Sequence, residues 1–220
     1  TDEPIKAGCA SSWTGPVFSE SHGFVFNAGQ CEGSWDVRSA VNVRAAFAAI
    51  WKEADLICSM EPLILWRPWK EEAARRTQGG WLHYDDDEPL FKGGDRPTVQ
   101  GMVTLTAASE AAGGFVCCPD TMLVAEDPVW QYVEMEPGSL VLWDSRLLHG
   151  SEPGCDCREQ DGSMLRIAVP VCLVPRICCS DSAGRLRNYE RARTTTHRPH
   201  LPDRLFAPDL KAPPPPKLNA

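Results

Sequence analysis

The chain has 220 residues, 43% of them apolar and 24% charged, and a formal net charge of −8. That length holds one domain with a sizeable core, or one domain with tails. The acidic balance argues against a broad basic face for nucleic acid or an anionic membrane, and without a run of about 20 apolar residues no membrane-spanning helix is expected.

Residues 1–33 are rich in Gly, Ser and Pro and read as an irregular arm, with one short strand at Gly23-Phe24-Val25-Phe26. Asp36 can cap a helix running to about Lys52, with Val37, Val41, Arg44, Ala45, Ala48 and Trp51 along one side, Phe47 and Ile50 widening the stripe and Arg44 its one polar exception. Leu56–Ser59 and Leu63–Trp66 are too short for buried helices and read as strands, punctuated by Pro62 and Pro68. A charged loop over 70–80 then leads to His83.

The second half is a series of strand candidates: Val99–Thr106, Gly114–Cys118, Trp130–Met135, Ser139–Asp144 and Leu165–Val174, separated by turn residues. Short strands at such spacing indicate a mainly β fold with flanking helices, best read as a jelly roll. A polar helix from Ser182 to about Arg193 follows, capped by Ser182, with its arginines on a solvated face. Residues 207–220, with Pro213-Pro214-Pro215-Pro216, read as an extended proline-rich tail. The expected jelly-roll domain covers 34–206.

The ten cysteines contain no Cys-x-x-Cys pair, and several lie in apolar runs such as Phe115-Val116-Cys117-Cys118, where a thiol acts as a small hydrophobe. The expectation is a reduced, intracellular protein, with the cytoplasm favoured. Because residue 1 is Thr, a removed targeting segment also fits. Cys155 and Cys157 lie in a polar loop and are the candidates for reactivity or bridging. Eight tryptophans imply an aromatic core or an aromatic-lined cavity.

The chemistry is concentrated in His83-Tyr84-Asp85 and the distant His149. Alternate residues of a strand share a face, so His83 and Asp85 can reach one metal. His149 closes the run Leu140–Asp144 at a sheet rim. Two imidazoles and one carboxylate are the ligand set of a non-haem Fe(II) site with an open face. Each piece has a plain alternative: a capped turn, a solvated acidic loop at Asp85–Glu88, or a core histidine. Arg166 opens an apolar strand and needs a counter-charge. Its planar fork suits a carboxylate, so a dicarboxylate co-substrate could meet metal at one end and Arg166 at the other. Arg146 and Arg158 compete for that role, and a structural ion pair is the plain alternative.

The ordered segments Gly80–Asp85, Gln100–Leu105, Gly113–Pro119 and Gly138–Gly150 together resemble the phytanoyl-CoA dioxygenase family. The resemblance runs from about residue 37 to about 206. It implies a double-stranded β-helix, a cupin-like jelly-roll variant. It implies His83, Asp85 and His149 as iron ligands and Arg166 as the contact to the far carboxylate of 2-oxoglutarate, with Ser151 as a second contact. The interval from His149 to Arg166 is longer than is usual in the family, which keeps Arg158 open. The implied reaction consumes dioxygen and 2-oxoglutarate, releases succinate and hydroxylates a small-molecule substrate. Related halogenases lack the carboxylate ligand, so Asp85 favours hydroxylation. The alternative is a metal-binding jelly roll without oxygenase activity, such as a sensor or degenerate homologue. Neither substrate identity nor oligomeric state has a sequence signal.

Overall fold

The computed structural model describes residues 12–13, 15–69, 72–85, 98–119, 129–155 and 164–206. In chain order these form β1 (Phe24–Val25), α1 (Glu32–Ser39), α2 (Val41–Trp51), β2 (Leu56–Cys58), β3 (Leu63–Trp66), β4 (Val99–Thr104), β5 (Gly113–Cys117), β6 (Gln131–Tyr132), β7 (Leu140–Asp144), β8 (His149–Pro153), β9 (Arg166–Pro175), α3 (Ser182–Glu190), β10 (Thr194–Thr195) and β11 (Leu205–Phe206). The strand pairs of known register are antiparallel, and the fold is mainly β with flanking helices, as expected. Two compact units share the chain: Leu65–Ala168, and Thr1–Ile64 with Val169–Ala220. The expected domain over 34–206 draws on both.

In the unit Leu65–Ala168, β4 pairs with β7 from Val99 opposite Asp144 to Val103 opposite Leu140. The start of β9 lies beside the end of β4, where the Leu105 N–H donates to the Ile167 carbonyl at 2.8 Å. A second sheet places β5 between β6 and β8, with Gly113 opposite Pro153 and Cys117 opposite His149. β5 is buried along its whole length, so its Gly-Gly-Phe-Val-Cys run has no polar face to alternate. Gly113 has φ +87°, and a Cβ there would stand 2.4 Å from the Gly154 nitrogen. Only glycine fits that turn. The expected strand over Trp130–Met135 is reduced to Gln131–Tyr132, with Met135 held by a bridge to Ala108.

In the other unit, β1 pairs with β3 through Phe24 opposite Ile64, and β2 with the end of β9 through Leu56 opposite Pro175. The single helix expected over 36–52 is two helices. Ala40 adopts φ −53°, ψ 133°, an extended conformation that breaks the ladder between them. Asp36 therefore lies inside α1, which starts after Cys31. The break also shifts the inward face of α2: Phe47 is buried as expected and Val43 joins it, whereas Val41, Arg44, Ala45 and Ile50 are exposed. Trp51 still faces inward, its Nε1–H donating to the Leu173 carbonyl at 2.8 Å. α3 is capped by Asp181 rather than Ser182, the Asp181 carboxylate accepting from the Gly184 N–H at 2.7 Å. Arg185 of α3 is half-buried instead of solvated, and donates to the Cys58 and Pro199 carbonyls.

No disulfide joins any two of the eight described cysteines. Among the described residues no helix is long and apolar enough to cross a membrane. Asp86–Glu88, Cys9, Cys157, Arg158 and the proline-rich tail lie outside the described residues.

Candidate metal centre

His83, Asp85 and His149 converge within the unit Leu65–Ala168. Their ligand atoms all lie within 4.8 Å of one another. Asp85 Oδ1 is 3.7 Å from His83 Nε2, and Asp85 Oδ2 is 3.2 Å from His149 Nε2.

The backbone that sets this geometry differs from the expected strand. His83 and Asp85 lie on a connecting segment, and only His83 makes a ladder contact, an isolated bridge to His149. The His83 N–H donates to the His149 carbonyl at 2.9 Å, and the His149 N–H returns the bond to the His83 carbonyl at 3.1 Å. Asp85 is fixed by its own N–H on the Ser145 carbonyl at 3.2 Å. His149 is not at the rim of β7: it opens a separate strand, β8, and is 5% exposed. Four strands, β4–β7, lie between the two halves of the cluster among the described residues.

Each imidazole is held by its other nitrogen. His83 Nδ1 is 3.1 Å from the Trp81 carbonyl, and His149 Nδ1 is 2.8 Å from the Leu147 carbonyl. A carbonyl only accepts, so Nδ1 carries the hydrogen in each ring, and Nε2, the nitrogen on the Asp85 side, is the one left to hold a metal. Two lone pairs and a carboxylate facing one point repel each other unless a cation lies between them. This donor set fits a divalent metal bound on one face. Gln100, 5% exposed on β4, donates from Nε2 to Asp85 Oδ2 and fixes the carboxylate, a supporting contact the sequence reading did not single out. Trp81 stacks on His83 at 4.9 Å, while Phe115 and Trp143 lie 5.7 and 5.3 Å from His149. Side-chain exposure of 37% at His83 against 7% at His149 opens the cluster on the His83 side.

Arg166 opens β9 and is 1% exposed. Its Nη1 donates to Ser151 Oγ at 2.9 Å, its Nη2 to Met102 Sδ at 3.2 Å, and its guanidinium carbon lies 4.5 Å above the Trp66 ring. Nε has no partner. Among the described residues no carboxylate pairs with this cation, and burial lowers its pKa to about 9, so it remains charged at neutral pH. Its other neighbours are one hydroxyl, one thioether and one ring face. A buried guanidinium in that setting calls for an anion. Ser151 and His149 are two residues apart on β8 and share a face, so the guanidinium meets the same face as the histidine, about 7 Å along the strand. Arg146 is already engaged: it clasps Asp144 through Nε at 2.8 Å and Nη2 at 2.7 Å, and these bonds hold the Asp144 carboxyl below its usual range.

Residues 73–155 match the family Phytanoyl-CoA dioxygenase (PhyH). That segment carries His83, Asp85, His149 and Ser151, and Arg166 lies beyond it. A curated relative, Ava biosynthesis cluster protein O of Aspergillus versicolor, is 25% identical over 86% of this chain and 71% of its own. Among solved structures, AviO1 from Streptomyces viridochromogenes Tue57 superposes with a TM-score of 0.51 at 21% identity, covering 69% of this chain and 66% of that one. EctD from S. alaskensis, solved with 2-oxoglutarate and 5-hydroxyectoine, gives 0.50 at 12% identity, covering 69% and 55%. The chain thus spans slightly under two thirds of the first structure and about half of the second. At these identities the likeness is one of fold, the double-stranded β-helix.

Proposed function

We propose that this protein is an Fe(II)- and 2-oxoglutarate-dependent dioxygenase that hydroxylates a small molecule. One observation carries the reading: the buried guanidinium of Arg166, without a described carboxylate partner, bound to Ser151 two residues along β8 from His149 of a two-histidine, one-carboxylate cluster. His83, Asp85 and His149 would hold the iron, with Gln100 fixing the carboxylate. Arg166 and Ser151 would take the far carboxylate of 2-oxoglutarate. When bound, Fe(II) supplies the dioxygen chemistry that couples loss of carbon dioxide from the keto-acid to oxidation of a C–H bond.

The chain's own residues do the rest. The Trp81 and Leu147 carbonyls orient the imidazoles, and Trp81, Phe115 and Trp143 give the cluster an apolar wall. Asp85 would supply the carboxylate ligand that halogenases lack, which favours hydroxylation over halogenation. The EctD structure with bound 2-oxoglutarate and the family match over 73–155 support the same reaction class.

The test is succinate formation from 2-oxoglutarate by the purified protein with Fe(II) and dioxygen, across a panel of small molecules. Substrate-stimulated succinate release supports the reading. Stoichiometric metal binding with no succinate under any condition would establish the non-oxygenase alternative instead.

A further inference from the structure

A cleft of about 430 Å3 lies within the unit formed by Thr1–Ile64 and Val169–Ala220. That volume is in the range that encloses a small organic ligand. The cleft is walled by α1, α2, α3, β2 and the end of β9.

Its charge is one-sided. Arg38, Arg44, Arg176 and Arg185 line it, and among the described residues no Asp or Glu does, in a chain whose formal charge is −8. Two of the four are largely balanced. Arg176 pairs with Asp55 at 2.8 Å, and buried Arg38 has Glu61 close enough to favour its charge. Arg38 is also a structural wall, donating to the Gly29, Glu61 and Pro170 carbonyls.

Arg44 and Arg185 are not balanced. Among the described residues neither has a carboxylate partner, and the Arg185 bonds go to neutral carbonyls of Cys58 and Pro199. Cys58 also lines the cleft, but burial pushes its thiol up to about 11. It therefore supplies no thiolate to offset Arg185 at neutral pH. Arg176 and Arg38 lie near enough to Arg185 to disfavour its charge, and an anion placed in the cleft relieves this.

The remaining wall is apolar. Ile57 and Leu173 are buried at its base, and Trp35 stands edge-on to Tyr189 at 5.6 Å. Leu186 on α3 also lines the cleft and is 55% exposed.

We infer that this cleft is a binding site for a small amphipathic carboxylate, its anionic head between Arg44 and Arg185 and its apolar body against Trp35, Leu173 and Leu186. The site is built from residues of one unit and uses none of the groups around the metal cluster.

Decanoate is the probe, titrated calorimetrically into the full chain, with decanol, decylamine and acetate as controls. One decanoate binds per chain, and the uncharged, cationic and head-only analogues bind at least tenfold more weakly. Arg44→Glu lowers decanoate affinity at least tenfold, Arg44→Gln by a smaller factor, and Leu186→Gln several-fold. Arg166→Leu leaves decanoate binding unchanged, which separates this cleft from a carboxylate bound near the metal. Arg44 and Leu186 are exposed, so circular dichroism of these variants should match the parent, and Arg44→Gln carries the test should Arg44→Glu misfold. Absence of decanoate binding overturns the inference. So do equal affinity for decanol, affinity retained in the Arg44 variants, and affinity lost in Arg166→Leu.

Discussion

Arg166→Leu removes a guanidinium that is 1% exposed and has no described carboxylate partner, and affinity and stability should respond in opposite ways. On the binding side, the variant loses two charge-assisted hydrogen bonds to the far carboxylate of 2-oxoglutarate, each contributing about 1.5–3 kcal/mol. At 1.4 kcal/mol per factor of ten, that weakens keto-acid binding by about 10²- to 10⁴-fold. On the folding side, the variant loses the stacking on Trp66, about 1–2 kcal/mol, and the bonds to Ser151 and Met102. Against this stands the desolvation of a buried cation, several kcal/mol, which the leucine avoids. The net change in stability without keto-acid should fall within about 1 kcal/mol of zero, or on the stabilising side. Anaerobic 2-oxoglutarate titration of the Fe(II) protein measures the first effect, and urea unfolding without keto-acid measures the second. A destabilisation of about 3–5 kcal/mol with keto-acid affinity changed less than threefold would refute the reasoning, because that pattern marks one half of a structural ion pair.

Gln100→Leu keeps the volume but removes the donor to Asp85. Iron affinity should fall about 10- to 100-fold, read by competition with a chelator, while unfolding changes little. The Arg166 pKa, lowered by burial to about 9, sets a pH dependence. The penalty for burying the cation is fully present below that pKa and is relieved as pH rises towards the unfolded value. Stability without keto-acid should therefore climb above about pH 9, whereas 2-oxoglutarate affinity falls there; both are flat from pH 7 to 8. Gly113→Ala places a Cβ 2.4 Å from the Gly154 nitrogen at φ +87°. A loss of about 2–4 kcal/mol is expected from strain and overpacking, and a melting temperature unchanged by this substitution would show that the turn can relax.

The strands were legible wherever short apolar runs were bounded by turn residues. Leu63–Trp66, Val99–Thr104 and Leu140–Asp144 lie within a residue or two of their expected bounds. The helix was misread at Ala40, because alanine is a strong helix former and nothing local in the sequence marks its extended ψ. Once the ladder breaks there, periodicity counted across the break assigns the wrong face. β8 was missed for a related reason. His149-Gly150-Ser151-Glu152-Pro153 has little β propensity, and its strand conformation comes from tertiary pairing with the buried β5. The three cluster residues were readable because the chemistry restricts ligand types, yet the strand argument for His83 and Asp85 was not the operative one. A bridge to His149 and a bond to the Ser145 carbonyl set their positions. Gln100 was quoted in a motif but given no role, since a glutamine on an apolar strand has no signature until its neighbour is known. The tail beyond Phe206 and the acidic run after Asp85 lie outside the described residues.

The most direct test of the account adds Fe(II) and then 2-oxoglutarate to the purified protein under anaerobic conditions and records the visible spectrum. A keto-acid chelated to iron gives a metal-to-ligand charge-transfer band. The account predicts that the band appears at one equivalent of each and is lost in His83→Ala, Asp85→Ala and His149→Ala. In Arg166→Leu it should require far more 2-oxoglutarate. A protein that binds Fe(II) through these residues but shows no band at saturating 2-oxoglutarate would contradict it.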